Sequence, residues 1–116
     1  MKREQRLRSS ADFRRAREAA PRAWTHPLLV LYAAPNDLPR TRVGVTVSGR
    51  VGKAVVRNKA RRRIREATRL LLPRVPAGHD LLFIARPTSA TADWPALCQA
   101  VESVLSRAGM LGAVPV

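Results

Sequence analysis

The segment Arg57-Asn58-Lys59-Ala60-Arg61-Arg62-Arg63-Ile64-Arg65-Glu66-Ala67-Thr68-Arg69-Leu70-Leu71 constrains this chain more than any other. Read as a helix over 57–72, closed by Pro73, it has one narrow apolar face: Ala60, Ile64, Ala67 and Leu71. Arg61, Arg65 and Arg69 line an adjacent face, with Asn58 and Arg62 beside them and Arg57 at the edge. Such a helix must lay its thin stripe on another layer and leave a cationic ridge in solvent. Residues 50–69 hold nine Lys or Arg against Glu66 alone. Arg62–Glu66 is the only expected i,i+4 pair. Like charges at that spacing repel, so solubility alone is a poor reason for the pattern.

The remaining charge is unevenly spread. Residues 1–22 carry a net +5, residues 23–49 a net +1 and residues 70–116 none, within a total of +14. Two basic segments on a neutral scaffold, with a pI near 11.9, point to a nucleic acid. A membrane surface is the rival polyanion, but no long apolar helix accompanies the charge, and no run is long enough to span a bilayer. The N-terminal segment Met1-Lys2-Arg3-Glu4 has no apolar stretch behind it and does not read as a signal peptide. With 116 residues the chain is expected to be one domain over 1–109 with a flexible tail over 110–116.

Chemistry-bearing residues are sparse. Cys98 is the sole cysteine, which excludes an internal disulfide and a zinc-binding thiolate cluster and suits a reducing, cytoplasmic setting. His26 and His79 lie far apart, and the eight acids are scattered. No paired general acid and base is legible, so no catalytic residue is expected in this chain. Trp24 and Trp94 are expected to pack at element ends.

The other elements follow from pattern. Ser9-Ser10-Ala11-Asp12 starts a short helix, about 10–18. Leu28–Tyr32 is an apolar run read as a buried strand, with a possible short strand near Ala23-Trp24. Arg42–Ser48 alternates, with Val43, Val45 and Val47 on one face. The runs 28–32 and 42–48 are expected to pair as antiparallel neighbours. Gly49 and Gly52 break the second strand, and Leu81–Ala85 is a further buried strand. Asp93-Trp94-Pro95 opens a last helix whose apolar face is Leu97, Val101, Val104, Leu105 and Ala108, ending at Gly109. The order α-β-β-α-β-α predicts an α+β fold, helices layered on one small sheet of about four strands.

Four ordered blocks then resemble one family. Arg50-Val51-Gly52-Lys53-Ala54-Val55-Val56-Arg57-Asn58-Lys59 … Arg62 … Arg65-Glu66 resembles the signature of the bacterial ribonuclease P protein component. Arg6-Leu7-Arg8 … Asp12-Phe13, Arg42-Val43-Gly44 … Val47-Ser48 and Ile84-Ala85-Arg86-Pro87 are similar to its first helix, the strand before its basic helix and its last strand. The resemblance covers about residues 6–108. It implies an α-β sandwich with a left-handed β-α-β crossover around the basic helix. It also implies a protein subunit of an endoribonuclease whose RNA performs the chemistry, removing the 5′ leader of precursor tRNA with magnesium held by RNA. The sequence fixes no metal site on the protein, and one protein monomer per RNA is implied.

Carried over by position, the face toward the RNA subunit comprises Arg50, Lys53, Arg57, Asn58, Lys59, Arg61, Arg62, Arg65 and Arg69. A cleft for the single-stranded leader comprises Phe13, Arg14, Arg17, Tyr32 and Arg86. Arginine suits such work because its planar fork reaches phosphates bidentately and stacks on bases. Rings accept unpaired bases without sequence preference. The sequence departs from the family pattern twice. Lys59 stands where arginine is usual, keeping charge but losing the fork. Arg17 stands where a second aromatic is frequent, so this cleft would lean more on charge. Composition alone leaves two other readings: a structural RNA-binding protein of similar fold, or a DNA regulator. The basic helix, with one Asn among many Arg, suits backbone contact better than base readout.

Overall fold

A computed structural model describes residues 1–112. The elements are α1 (Ser10–Ala19), β1 (Ala23–Thr25), β2 (Leu29–Pro35), β3 (Arg42–Val47), α2 (Ala54–Leu71), β4 (His79–Ala85) and α3 (Trp94–Arg107), with short 3-10 turns between several of them. Ser9 caps α1 by accepting from Asp12 N at 3.0 Å, and Asp93 caps α3 by accepting from Ala96 N at 2.8 Å.

The four strands form one sheet in the order β1-β2-β4-β3. This corrects the expected pairing of β2 with β3. β4 lies between them, antiparallel to β2 and parallel to β3, with Leu31 opposite Phe83 and Val45 opposite Phe83. Apolar alternation specifies which face a strand buries but not which strand lies beside it. Here the most completely buried strand takes the central position: Leu81, Leu82 and Phe83 are all buried, as a strand covered on both faces requires.

One face of the sheet carries α2 and α3. Leu29, Leu31, Val43, Val45, Leu81 and Phe83 pack there against Ile64, Ala67, Leu97, Val101, Val104 and Leu105. The other face carries α1: Leu7, Ala16 and Leu82 form a smaller core flanked by Phe13, Tyr32 and Ile84. The fold is thus the expected α-β sandwich. The crossover β3-α2-β4 joins neighbouring parallel strands, and its hand follows from one residue. Val43 buries its side chain under α2 and turns its carbonyl away from β4, where it accepts from Leu7 N at 2.9 Å. For an L-residue this geometry places β4 to the left of β3 when both strands point up and α2 faces the viewer. The crossover is left-handed, the rare hand.

α2 begins at Ala54, three residues before the predicted start, because its break comes earlier than Arg57. Gly52 adopts φ +149, a conformation closed to other residues, and a Cβ there would lie 3.1 Å from the Val56 side chain. The tail expected to be flexible from residue 110 is held at its beginning. Met110 and Leu111 pack on the core, and Gly112 N donates to Arg74 O at 2.7 Å. The rest of it, residues 113–116, lies outside the described residues.

Candidate nucleic-acid interface

α2 exposes its cations because its buried stripe is narrow: only Ala60, Ile64, Ala67 and Thr68 are buried, and Thr68 Oγ1 returns a hydrogen bond to Ile64 O at 2.8 Å. Leu71, expected in the stripe, is half-buried beside it. Successive residues turn by about 100°, so Arg57, Arg61, Arg65 and Asn58 fall along one flank with Arg62 and Arg69 on the crest. Arg61 Nη1 donates to Asn58 Oδ1 at 2.8 Å, fixing the two side chains together. Arg50 lies in the 3-10 turn Gly49–Val51 and Lys53 precedes the first residue of α2, both exposed. These residues extend the ridge beyond the N-terminus of the helix.

Two of the nine candidates behave differently. Lys59 lies about 200° around the helix from Arg61, on the opposite flank. Arg69 is engaged: its Nε and Nη2 grip the two oxygens of Glu66 at 3.0 and 2.6 Å. The expected Arg62–Glu66 pair is therefore replaced by an i,i+3 pair. A fork that matches both carboxylate oxygens outcompetes a single contact. Arg69 in turn holds the Glu66 carboxyl below its ordinary range. Arg63, on the far flank, serves structure: its Nη2 donates to Ala92 O at 2.6 Å, tying α2 to the approach of α3.

The second candidate surface lies on the other sheet face. Gly44 allows it, because a Cβ at that position would come within 2.7 Å of Phe13 Cε1 and 2.9 Å of Leu7 Cδ1. Phe13 therefore seats directly on the backbone of β3, half-buried with Tyr32 and Ile84 around the small core. Arg17, one turn along α1, stacks its guanidinium over the Tyr32 ring at 5.3 Å from the centroid. Arg14 is exposed on the same helix. Arg86 follows β4 in extended conformation, on the parity of Leu82 and Ile84, with its N donating to Leu28 O at 3.0 Å. A groove of about 430 Å³ runs from Ser10 and Phe13 over Val45, Thr46 and Val47 to Arg61. The cleft and the ridge thus meet at Arg61.

Sequence reasoning missed what holds α1 in place. Arg42 sits between Asp80 on β4 and Asp12 on α1, at 2.8 and 3.5 Å. Asn36 Nδ2 donates to the same Asp80 at 2.9 Å. Asp80 is buried, and its hydrogen bond holds Arg42 more firmly protonated than usual. An aspartate inside an apolar strand needs a charged partner, and that was the legible signal. The two histidines are far from one another's chemistry: His26 Nδ1 accepts from Leu28 N at 3.0 Å, and His79 opens β4 with its own N donating to Thr41 Oγ1 at 3.2 Å. No group of three or more His, Cys, Asp or Glu gathers among the described residues. Trp24 packs on the core under the guanidinium of Arg22, whereas Trp94 is 40% exposed at the start of α3.

This arrangement, a left-handed crossover carrying a cationic helix opposite an aromatic cleft, has counterparts of known kind. A sequence model of the ribonuclease P family matches residues 1–109. The chain belongs to the ribonuclease P protein family. It is 48% identical over 108 residues to the ribonuclease P protein component of Herpetosiphon aurantiacus, covering 93% of this chain and 87% of that one. It is 47% identical to that of Roseiflexus castenholzii over 98% of this chain and 94% of the relative. Among solved structures, the ribonuclease P protein of Staphylococcus aureus superposes with a TM-score of 0.84 at 28% identity, over 93% of this chain and 98% of that one. That of Thermotoga maritima gives a TM-score of 0.78 at 26% identity, over 88% and 96%. As a family member the chain is a protein subunit of ribonuclease P, an endoribonuclease of tRNA processing. No helix among the described residues is long and apolar enough to cross a membrane.

Proposed function

We propose that α2 docks this subunit on the ribonuclease P RNA while the cleft between α1 and the sheet holds the 5′ leader of precursor tRNA. The observation that carries the reading is the shared position of Arg61, which borders both the groove reaching Phe13 and the groove lined by Asn58, Arg62 and Arg65. One rigid body then presents a phosphate-binding ridge and a base-stacking cleft side by side. Arg57, Asn58, Arg61, Arg62 and Arg65 contact the RNA subunit, with Arg50, Lys53, Lys59 and Arg69 at its margins. Phe13 and Tyr32 stack leader bases, and Arg14, Arg17 and Arg86 neutralise its phosphates.

The chemistry belongs to the RNA and its magnesium. Four of the eight carboxylates are already engaged: Asp12 and Asp80 by Arg42, Glu66 by Arg69, Asp93 by the cap of α3. One protein per RNA, working in the cytoplasm, completes the reading.

Reconstitution tests it. The protein is mixed with a bacterial ribonuclease P RNA and 5′-labelled precursor tRNA at low magnesium and moderate salt. Leader release is expected only with RNA and intact protein together, and is expected to fall with Arg61, Arg62 and Arg65 all replaced by Ala. Salt-dependent RNA binding without stimulated cleavage would reassign the chain to a purely structural RNA-binding role. Cleavage by the protein alone would overturn the division of labour.

A further inference from the structure

One row of side chains crosses all four strands in register. Thr46 on β3 lies opposite Ile84 on β4, Ile84 opposite Val30 on β2, and Val30 opposite Thr25 on β1. All four share the parity of Tyr32 and Leu82, so they face the side of α1. α1 itself sits on the neighbouring row, where Phe13 rests on Gly44 and Arg17 covers Tyr32. Thr46 and Thr25 are exposed, Ile84 and Val30 half-buried. Thr46 also lines the groove shared by Phe13 and Arg61. The row thus leads from the meeting point of cleft and ridge to the free edge of the sheet at β1, three strand spacings or about 14 Å away.

That far edge is cationic. His26 N donates to Leu29 O at 2.9 Å, so Thr25, one residue earlier, turns its backbone away from β2. Arg107, the last residue of α3, donates from Nη2 to this outward Thr25 O. Arg86 is fixed nearby from β4, its N donating to Leu28 O at 3.0 Å. Arg22 lies over the Trp24 ring, 4.0 Å from the centroid. All three arginines are exposed, and none pairs with a carboxylate among the described residues. No Asp or Glu occurs in residues 19–36 or 81–92. Glu102 lies about 140° around α3 from Arg107. His26 adds a donor: its Nδ1 accepts from Leu28 N, so the neutral ring carries its hydrogen on Nε2. Burial lowers the His26 pKa, and the charges of Arg107 and Arg86 lower it further, which sets both guanidiniums near the ring. Three elements therefore bring unbalanced cations to one edge, although residues 70–116 are neutral as a whole.

We infer that the β1 edge is a second subsite for single-stranded RNA, taking leader nucleotides upstream of those in the cleft. Arg86, Arg107 and Arg22 hold their phosphates, and the Arg22–Trp24 pair offers a plane on which a base can stack. The inference rests on the reading of the cleft as the leader site and extends that site past Arg86. Its polarity follows from Arg61. With the RNA subunit on the ridge, nucleotides nearest the cleaved bond enter beside Arg61, and those farther upstream arrive at β1. Phosphate and ring-face contacts carry no base preference, so this subsite reads leader length rather than leader sequence.

The test uses the reconstituted holoenzyme and two precursor tRNAs that differ only in leader length, four nucleotides against fifteen. The double variant Arg22→Gln with Arg107→Gln is expected to weaken binding of the long leader several-fold. Its salt slope is expected to fall by about 1.4, at about 0.7 for each phosphate contact on a single strand. Binding of the short leader is expected to stay unchanged. Arg22→Lys with Arg107→Lys, which keeps both charges, is expected to recover most of the loss. A photoreactive base at the upstream end of the long leader is expected to crosslink to the peptide holding Trp24. A merely structural role of Arg107 would lower the urea midpoint and weaken both substrates alike. That result, or a long leader unaffected by the double variant, would overturn the subsite. Phe13→Ala separates the two readings. If it weakens both leaders while the double variant weakens neither, only the β1 subsite falls. If it weakens neither, the reading of the cleft itself falls.

Discussion

Arg42 grips Asp80 with two parallel hydrogen bonds, Nε to Oδ1 at 2.9 Å and Nη2 to Oδ2 at 2.8 Å, across adjacent parallel strands. Both side chains are largely shielded, 14% and 6% exposed, and the third nitrogen of the guanidinium faces Asp12 on α1. Removing Arg42 leaves Asp80 charged, buried and supported only by Asn36. Arg42→Met is therefore expected to cost about 3–5 kcal/mol of stability, read as a lower urea midpoint. Arg42→Met with Asp80→Leu should recover much of it, because a buried pair replaced by apolar groups is close to neutral. A single variant as stable as the parent would show that the clasp contributes nothing.

Gly44 sets how closely α1 approaches the sheet. Gly44→Ala places a methyl 2.7 Å from Phe13 Cε1 and 3.0 Å from Leu7 Cβ, so the ring and the N-terminal segment must both yield. The expected loss is about 1–3 kcal/mol of stability by overpacking. In reconstituted enzyme, KM is expected to rise for precursor tRNA with a long leader and to change little for a one-nucleotide leader. Equal effects on both substrates would place Gly44 outside leader binding.

The sequence made some of this legible and hid the rest for physical reasons. The stripe of Ala60, Ile64 and Ala67 and the alternation of Val43, Val45 and Val47 are local patterns, and both are buried as read. The neighbour of a strand is not local. β2 and β3, separated by only six residues, look like a hairpin, yet β4 enters between them from beyond α2. The partners of long arginines are equally invisible. Arg69 chooses Glu66, Arg42 chooses an aspartate 38 positions away, and Arg6 reaches the neighbourhood of Arg65 only because Leu7 is pinned to β3. The composition of the ridge was readable; which of its donors remain free required the fold.

Leader binding in this chain should depend on charge as well as stacking. Arg17 stands one turn after Phe13 and covers Tyr32 with its guanidinium. Phe13→Ala is expected to lose about 1–3 kcal/mol of leader affinity. Arg17→Gln is expected to lower the salt slope of precursor-tRNA binding by about one, without altering the slope for mature tRNA. A slope unchanged by Arg17→Gln would mean that its guanidinium serves Tyr32 alone.

Glu66 restrains the ridge. It occupies the fork of Arg69 and is the single acid among the nine cations of residues 50–69. Glu66→Gln removes that charge and releases Arg69. RNA-subunit binding is expected to tighten several-fold at low salt, with a steeper salt slope. Stability is expected to change little, because the pair is exposed. Weaker RNA binding by Glu66→Gln would mean that the pair orients Arg69 rather than sequestering it.

His26 supplies a mild acid sensitivity. Burial lowers its pKa from 6.5, and the nearby charges of Arg107 and Arg86 lower it further. The neutral ring is also required where it sits, because Nδ1 accepts from Leu28 N at 3.0 Å at the entry to β2. The folded state thus takes up this proton less readily than the unfolded chain. Its contribution to stability is full above about pH 6.5, the unfolded value, and is lost as pH falls through the lower folded value. His26→Gln is expected to flatten the fall of the urea midpoint below about pH 6.5, since the amide oxygen keeps an acceptor but cannot titrate. A midpoint that falls equally steeply in parent and variant would assign the acid sensitivity to the carboxylates instead.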